Sequence, residues 1–140
     1  METKTKLTLE FYQHLGKLFY AIAAADKKVH PDEFNKLKEL VKLKWLHLDL
    51  AEDHYHTNAA YHIEIVFDWL NNGAYEAETC FHDFVNYKNE NPELFTKVIK
   101  KLIMKTANAI ASSFSGLNKS ELIMLAKLEM ELKSNTCEKA

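Results

Sequence analysis

Three glycines and two prolines are all that 140 residues offer for sharp turns. A many-stranded sheet needs a tight turn every few residues, and most such turns need Gly, Pro, Asn or Asp at fixed places. A chain so poor in the first two is predicted to run as long helices joined by few connections.

The apolar residues repeat at the matching period. In "LEFYQHLGKLFYAIAAA", Tyr12, Leu15, Phe19, Ile22 and Ala23 fall three or four apart, as one face of a helix ending near Asp26. A second helix starts at Pro31, where a missing N–H costs nothing, and carries Phe34, Leu37, Val41 and Leu48 on its inner face. The third, "NAAYHIEIVFDWLNNG", is apolar nearly all round and is expected at the centre of the packing. "EAETCFHDFVNYK" reads as a peripheral amphipathic helix. Asn91-Pro92-Glu93 opens a long helix through Phe95, Val98, Leu102, Ile103 and Ile110 to Ser115-Gly116, and a last helix from Asn118 carries Leu122, Leu125, Leu128 and Leu132. The fold class is all-α: a single domain over residues 1–140, a compact bundle of six to seven helices.

The chain also repeats itself. A shift of 88 residues lays "KLFYAIAAADKKVHPDEFNKLKEL" over "KTANAIASSFSGLNKSELIMLAKL". Lys17 then falls on Lys105, Ala21-Ile22-Ala23 on Ala109-Ile110-Ala111, Val29 on Leu117, Glu33 on Glu121, Leu37 on Leu125 and Leu40 on Leu128. Two pseudo-symmetric helical hairpins, about 14–44 and 102–132, are predicted around an acidic insert at about 49–90.

Charge follows the same division. Residues 1–48 hold nine Lys and six acids, 49–90 one Lys and nine acids, and 91–140 eight Lys and five acids. All 18 basic residues are Lys. Without the planar fork of Arg, the bidentate recognition of guanine and phosphate is missing, so sequence-specific nucleic-acid binding is not expected. Lys97, Lys100, Lys101 and Lys105 form a helical stripe, read as a solvated face or as a contact for an acidic partner or membrane surface. "METKTKLTLE" has no apolar core of signal-peptide length and no run reaches membrane-spanning length. The two cysteines, Cys80 and Cys137, have no metal-ligand spacing. A soluble cytoplasmic protein is expected.

"AAADKKVHPDEFNKLKEL" resembles the signature of the TerB-like family, named for tellurite resistance and similar to the N-terminal region of the DjlA co-chaperones. That pattern is an alanine-rich helix, Ala-Asp-Gly, one residue, an aliphatic, three residues and Glu. Ala25, Asp26, Val29 and Glu33 match it, while Lys27 stands at the Gly and Phe114 where the second hairpin would carry an Asp. The resemblance spans residues 14–45 and, more weakly, 102–132. It implies an all-helical fold, stress-associated contexts, divalent-cation binding through acids, and no established enzyme activity.

The residues support two readings of that stretch. Glu33 and Glu121 each stand third in a helix, where a carboxylate reaches back to the N-cap N–H. Asp26 faces the negative end of a helix dipole, as an Asx-turn residue screened by Lys27 and Lys28 or as a ligand. In the second case Asp26, Asp32 and Glu33 hold calcium or magnesium weakly. An alternative metal set, for a metalloprotein or metalloenzyme, is His54, His56 and His62 in the acidic "EDHYH" segment. No Glu precedes a His by three residues, so the paired ligands of ferritin-like di-iron bundles are missing. No Gly-rich phosphate loop or activated nucleophile is apparent. The expectation is a non-enzymatic TerB-like module of the stress-response or tellurite-resistance type, with a protein partner.

Overall fold

The computed structural model describes residues 9–25, 29–45, 59–73, 75–113 and 119–134. Among them lie six α-helices and no strand: α1 (Leu9–Ala23), α2 (Pro31–Leu40), α3 (His62–Gly73), α4 (Ala77–Glu90), α5 (Lys97–Ala111) and α6 (Lys119–Ser134). The chain is an all-α bundle, as the scarcity of turn residues requires.

The centre is α1. Phe11, Tyr12, Leu15, Leu18, Phe19 and Ile22 are wholly buried along one face, and Gly16, Tyr20, Ala21 and Ala23 carry the burial around the rest of the helix. Accordingly α1 packs on α3, α4, α5 and α6 at once. The sequence pattern had given this place to the third helix. In the structure α3 buries Ile63, Phe67 and Leu70 against α1 and α2, while Ile65 is 53% exposed and Trp69 60%. Its buried residues lie on one side, and these two apolar side chains stay outside. The expected peripheral helix, α4, packs directly on α1 and buries Cys80, Phe81, Phe84 and Tyr87.

Beyond Leu40, α2 widens into a π-helical turn, Val41–Trp45. The wider turn leaves Val41 and Trp45 both wholly buried. The Trp45 ring lies 6.2 Å from that of Phe19, and its Nε1–H donates to Thr106 Oγ1 at 3.0 Å. That bond fastens the end of the first hairpin to α5.

The predicted long helix from Asn91 is broken. Pro92–Leu94 form one 3-10 turn, the chain leaves helical geometry at Phe95, and α5 begins at Lys97. Leu94 and Phe95 on either side of the break are both buried. Phe95 inserts between Phe11, Phe84 and Tyr87, and Thr96 restarts the helix by accepting the Ile99 N–H at 3.3 Å.

The 88-residue shift carries the bounds of α1 onto those of α5, and Pro31, the first residue of α2, onto Lys119, the first of α6. Burial recurs too. Leu15 and Ile103, Ile22 and Ile110, and Ala23 and Ala111 are wholly buried, and Glu33 and Glu121 are each 1% exposed. α1 packs on α6 and α5 on α2, the cross-pairing that exchange of the two hairpins would produce.

Candidate functional site

Glu33 is turned inward. Its Oε1 accepts the His30 N–H at 2.8 Å while its own N–H donates to His30 O at 2.9 Å. This is the carboxylate half of a capping box, and it satisfies a donor that the helix start would otherwise leave open. Asp32, one residue earlier, is exposed. Adjacent helical residues do not face each other, so α2 alone does not converge the two carboxylates. Asp26, their third partner in the expected calcium or magnesium set, lies outside the described residues. Of the alternative set, His62 opens α3 half-buried, and His54 and His56 lie outside the described residues. Among the described residues no group of three or more His, Cys, Asp or Glu is placed to hold a metal ion.

What the fold builds beside the α1–α2 turn is a cleft of about 620 Å³. Tyr20, Ala24 and Ala25 come from the end of α1, and Val29 from the far side of the turn. Asn71 of α3, Tyr75 and Glu76 of the α3–α4 connection, Ala77 and Glu78 of α4, and Met124 of α6 complete the walls. The connection is held by Tyr20, whose hydroxyl donates to Tyr75 O at 2.6 Å. Gly73 makes room for the Tyr75 ring, since a Cβ there would lie 2.5 Å from Tyr75 Cε2. The Tyr75 ring also meets that of Trp69, with centroids 5.1 Å apart.

The chemistry of the cleft is that of recognition. Its floor is apolar and small-residued, and acids stand at the rim. Glu78 is bridged to Lys127 at 3.1 Å, whereas Glu76 is exposed and makes no ion pair among the described residues. Behind the wall, burial pushes the Tyr20 hydroxyl and the Cys80 thiol up, Cys80 adding to the effect on Tyr20 and Asp83 to that on Cys80, against the opposing charge of Lys17. Lys17 is itself bridged to Asp83 at 3.3 Å. A buried thiol held protonated is no nucleophile. A cavity of this size and lining accommodates one or two apolar side chains, with a cation attracted to the rim.

No protein-family model, curated protein or solved structure matches the chain. No helix among the described residues is long and apolar enough to cross a membrane.

Sequence reasoning singled out Val29 and the alanines of the turn but not Tyr20, Asn71, Tyr75 or Met124. These come from separate elements, and nothing in their local sequence announces that they meet.

Proposed function

We propose that the chain is a non-enzymatic module of the TerB-like kind, serving a stress-response or tellurite-resistance type of role by holding a protein partner in the cleft. One observation carries this reading: Ala25 and Val29, two of the four residues that match the TerB-like pattern, line that cleft. A third, Glu33, caps the helix that follows the turn. The pattern therefore shapes and steadies a recognition surface. Divalent-cation binding through Asp26 and Asp32 is at most a weak accessory in this reading, because the Glu33 carboxylate is already engaged by backbone.

A photo-crosslinking residue placed at Asn71, on the cleft wall, tests it in stressed cells. The expected result is a discrete adduct that the same residue at Lys133, on the outer side of α6, does not give and that filling the cleft by Ala25→Trp removes. An adduct indifferent to Ala25→Trp, or none, refutes the reading.

A further inference from the structure

Five lysines among the described residues are answered by a carboxylate, and a larger number are not. Lys17 pairs with Asp83, Lys36 with Glu39, Lys88 with Glu131, Lys127 with Glu78 and Lys133 with Glu129. Lys38, Lys42 and Lys119 are exposed and make no ion pair among the described residues, and the same holds for four that share one stretch of the fold, Lys44, Lys97, Lys101 and Lys105. Three of these four stand at four-residue spacing along α5, a helix that contains no acid and has none in its first turn. Like charges at that spacing repel, and cations at a helix start face the positive end of its dipole. Both effects act against the fold, and α5 itself has no acid to offset them.

The fourth lysine is held near the same helix. Trp45 is bonded to Thr106, so the backbone that carries Lys44 is drawn to the turn of α5 that carries Lys105. Two apolar side chains are interleaved: Leu43 beside Lys44, 55% exposed, and Val98 beside Lys97, 65% exposed. The α5 part of this strip is about 12 Å long.

We propose that the strip of Lys44, Lys97, Lys101 and Lys105, with Leu43 and Val98, is a docking surface for a short acidic polypeptide segment bearing an apolar side chain. Charge complementarity selects the partner's sign, and the geometry selects its size. The same bundle exposes Asp68, Glu76, Glu78 and Glu90 on α3 and α4 and at their junction, and the whole chain carries a net charge of −2. An extended polyanion, whether duplex nucleic acid or an anionic bilayer, covers more surface than the strip offers and approaches a chain of net negative charge. A short acidic segment meets the strip alone. A bilayer would also need an apolar face to insert, and the apolar face of α5, Ile99, Ile103, Ala107 and Ile110, is spent in the core. Carboxylates accept single bonds from ammonium groups, so the lack of Arg is no obstacle here.

The test uses the full chain and a short fluorescein-labelled peptide rich in Glu and Asp with interspersed leucines, followed by anisotropy at rising salt. Saturable binding that weakens with salt is expected. Lys101→Glu with Lys105→Glu should weaken it by about tenfold or more. Lys119→Glu with Lys133→Glu makes the same change in net charge on α6 and should leave it nearly unaltered. The α5 double variant should melt no lower than the parent, since it removes repulsion, and Ala25→Trp in the cleft should not affect this peptide. Absence of binding at low salt, equal loss in both double variants, or tighter binding of duplex DNA or phosphatidylserine vesicles than of the peptide would overturn the proposal.

Discussion

Gly16 of α1 and Ile63 of α3 stand in backbone contact: a Cβ built on the glycine would lie 2.7 Å from the Ile63 carbonyl oxygen and 2.8 Å from Val66 Cβ. Neither obstacle is the loose end of a side chain. The glycine therefore sets how closely the central helix approaches α3, and through α3 where the Asn71 wall of the cleft stands.

Gly16→Ala weighs two opposed effects. Alanine in a helix interior is favoured over glycine by about 1 kcal/mol, whereas forcing a methyl into a filled interface costs about 1–3 kcal/mol. Here the obstacle is main chain, so the clash should prevail. Denaturant unfolding should show a net loss of about 1–2 kcal/mol; a gain in stability would show that α1 and α3 can separate freely.

Thr106→Val keeps the shape at the Trp45 contact and removes the acceptor. The buried indole N–H would then have no partner there, which costs about 1–3 kcal/mol. The loss should be accompanied by a shift in Trp45 fluorescence. Thr106→Ser, which retains the hydroxyl, should recover most of the stability.

Lys88 is wholly buried, with its Nζ donating to Asn89 Oδ1 at 2.9 Å and 3.7 Å from Glu131 Oε1. Burial holds its ammonium below the usual lysine range, Glu131 opposing and Lys100 reinforcing the shift. Between the lowered folded pKa and the unfolded value of 10.5 the unfolded chain binds more protons, so this residue makes stability rise with pH through that window. Lys88→Met should equal or exceed the parent at neutral pH, because the buried charge is gone and Glu131 is partly solvated. Its advantage should shrink as the pH is raised toward the lysine range. Urea midpoints of both proteins at several alkaline pH values check this, and a widening advantage would contradict the assignment.

Glu33→Gln separates cap from ligand. An amide oxygen still accepts from the His30 N–H, so the loss of stability should be small, well under the roughly 1 kcal/mol typical of deleting a cap. If the carboxylate serves only the cap, any stabilisation by millimolar calcium or magnesium should be the same in the variant as in the parent. Disappearance of a cation response in Glu33→Gln would make it a ligand.

The local sequence sufficed wherever the cause was local. Pro31 and Glu33 started α2 at the place that backbone geometry favours, the apolar spacing of Leu15, Phe19 and Ile22 made α1 a helix, and the scarcity of Gly and Pro left no room for a sheet. The repeat laid Glu33 over Glu121, but their shared burial came only with the structure. Tertiary structure decided what depends on the number and direction of neighbours. It made α1 central and left Ile65 and Trp69 of α3 outside, although both helices look equally apolar in sequence. It cut the helix predicted from Asn91 at Phe95, where that ring turns in among Phe11, Phe84 and Tyr87. It drew Tyr20, Asn71, Tyr75 and Met124 around one cleft. It also buried Lys88 beside a half-exposed Glu131 while leaving Lys101 without an ion pair among the described residues, a distinction absent from the letters because an ion pair is set by distance in space and not by separation along the chain.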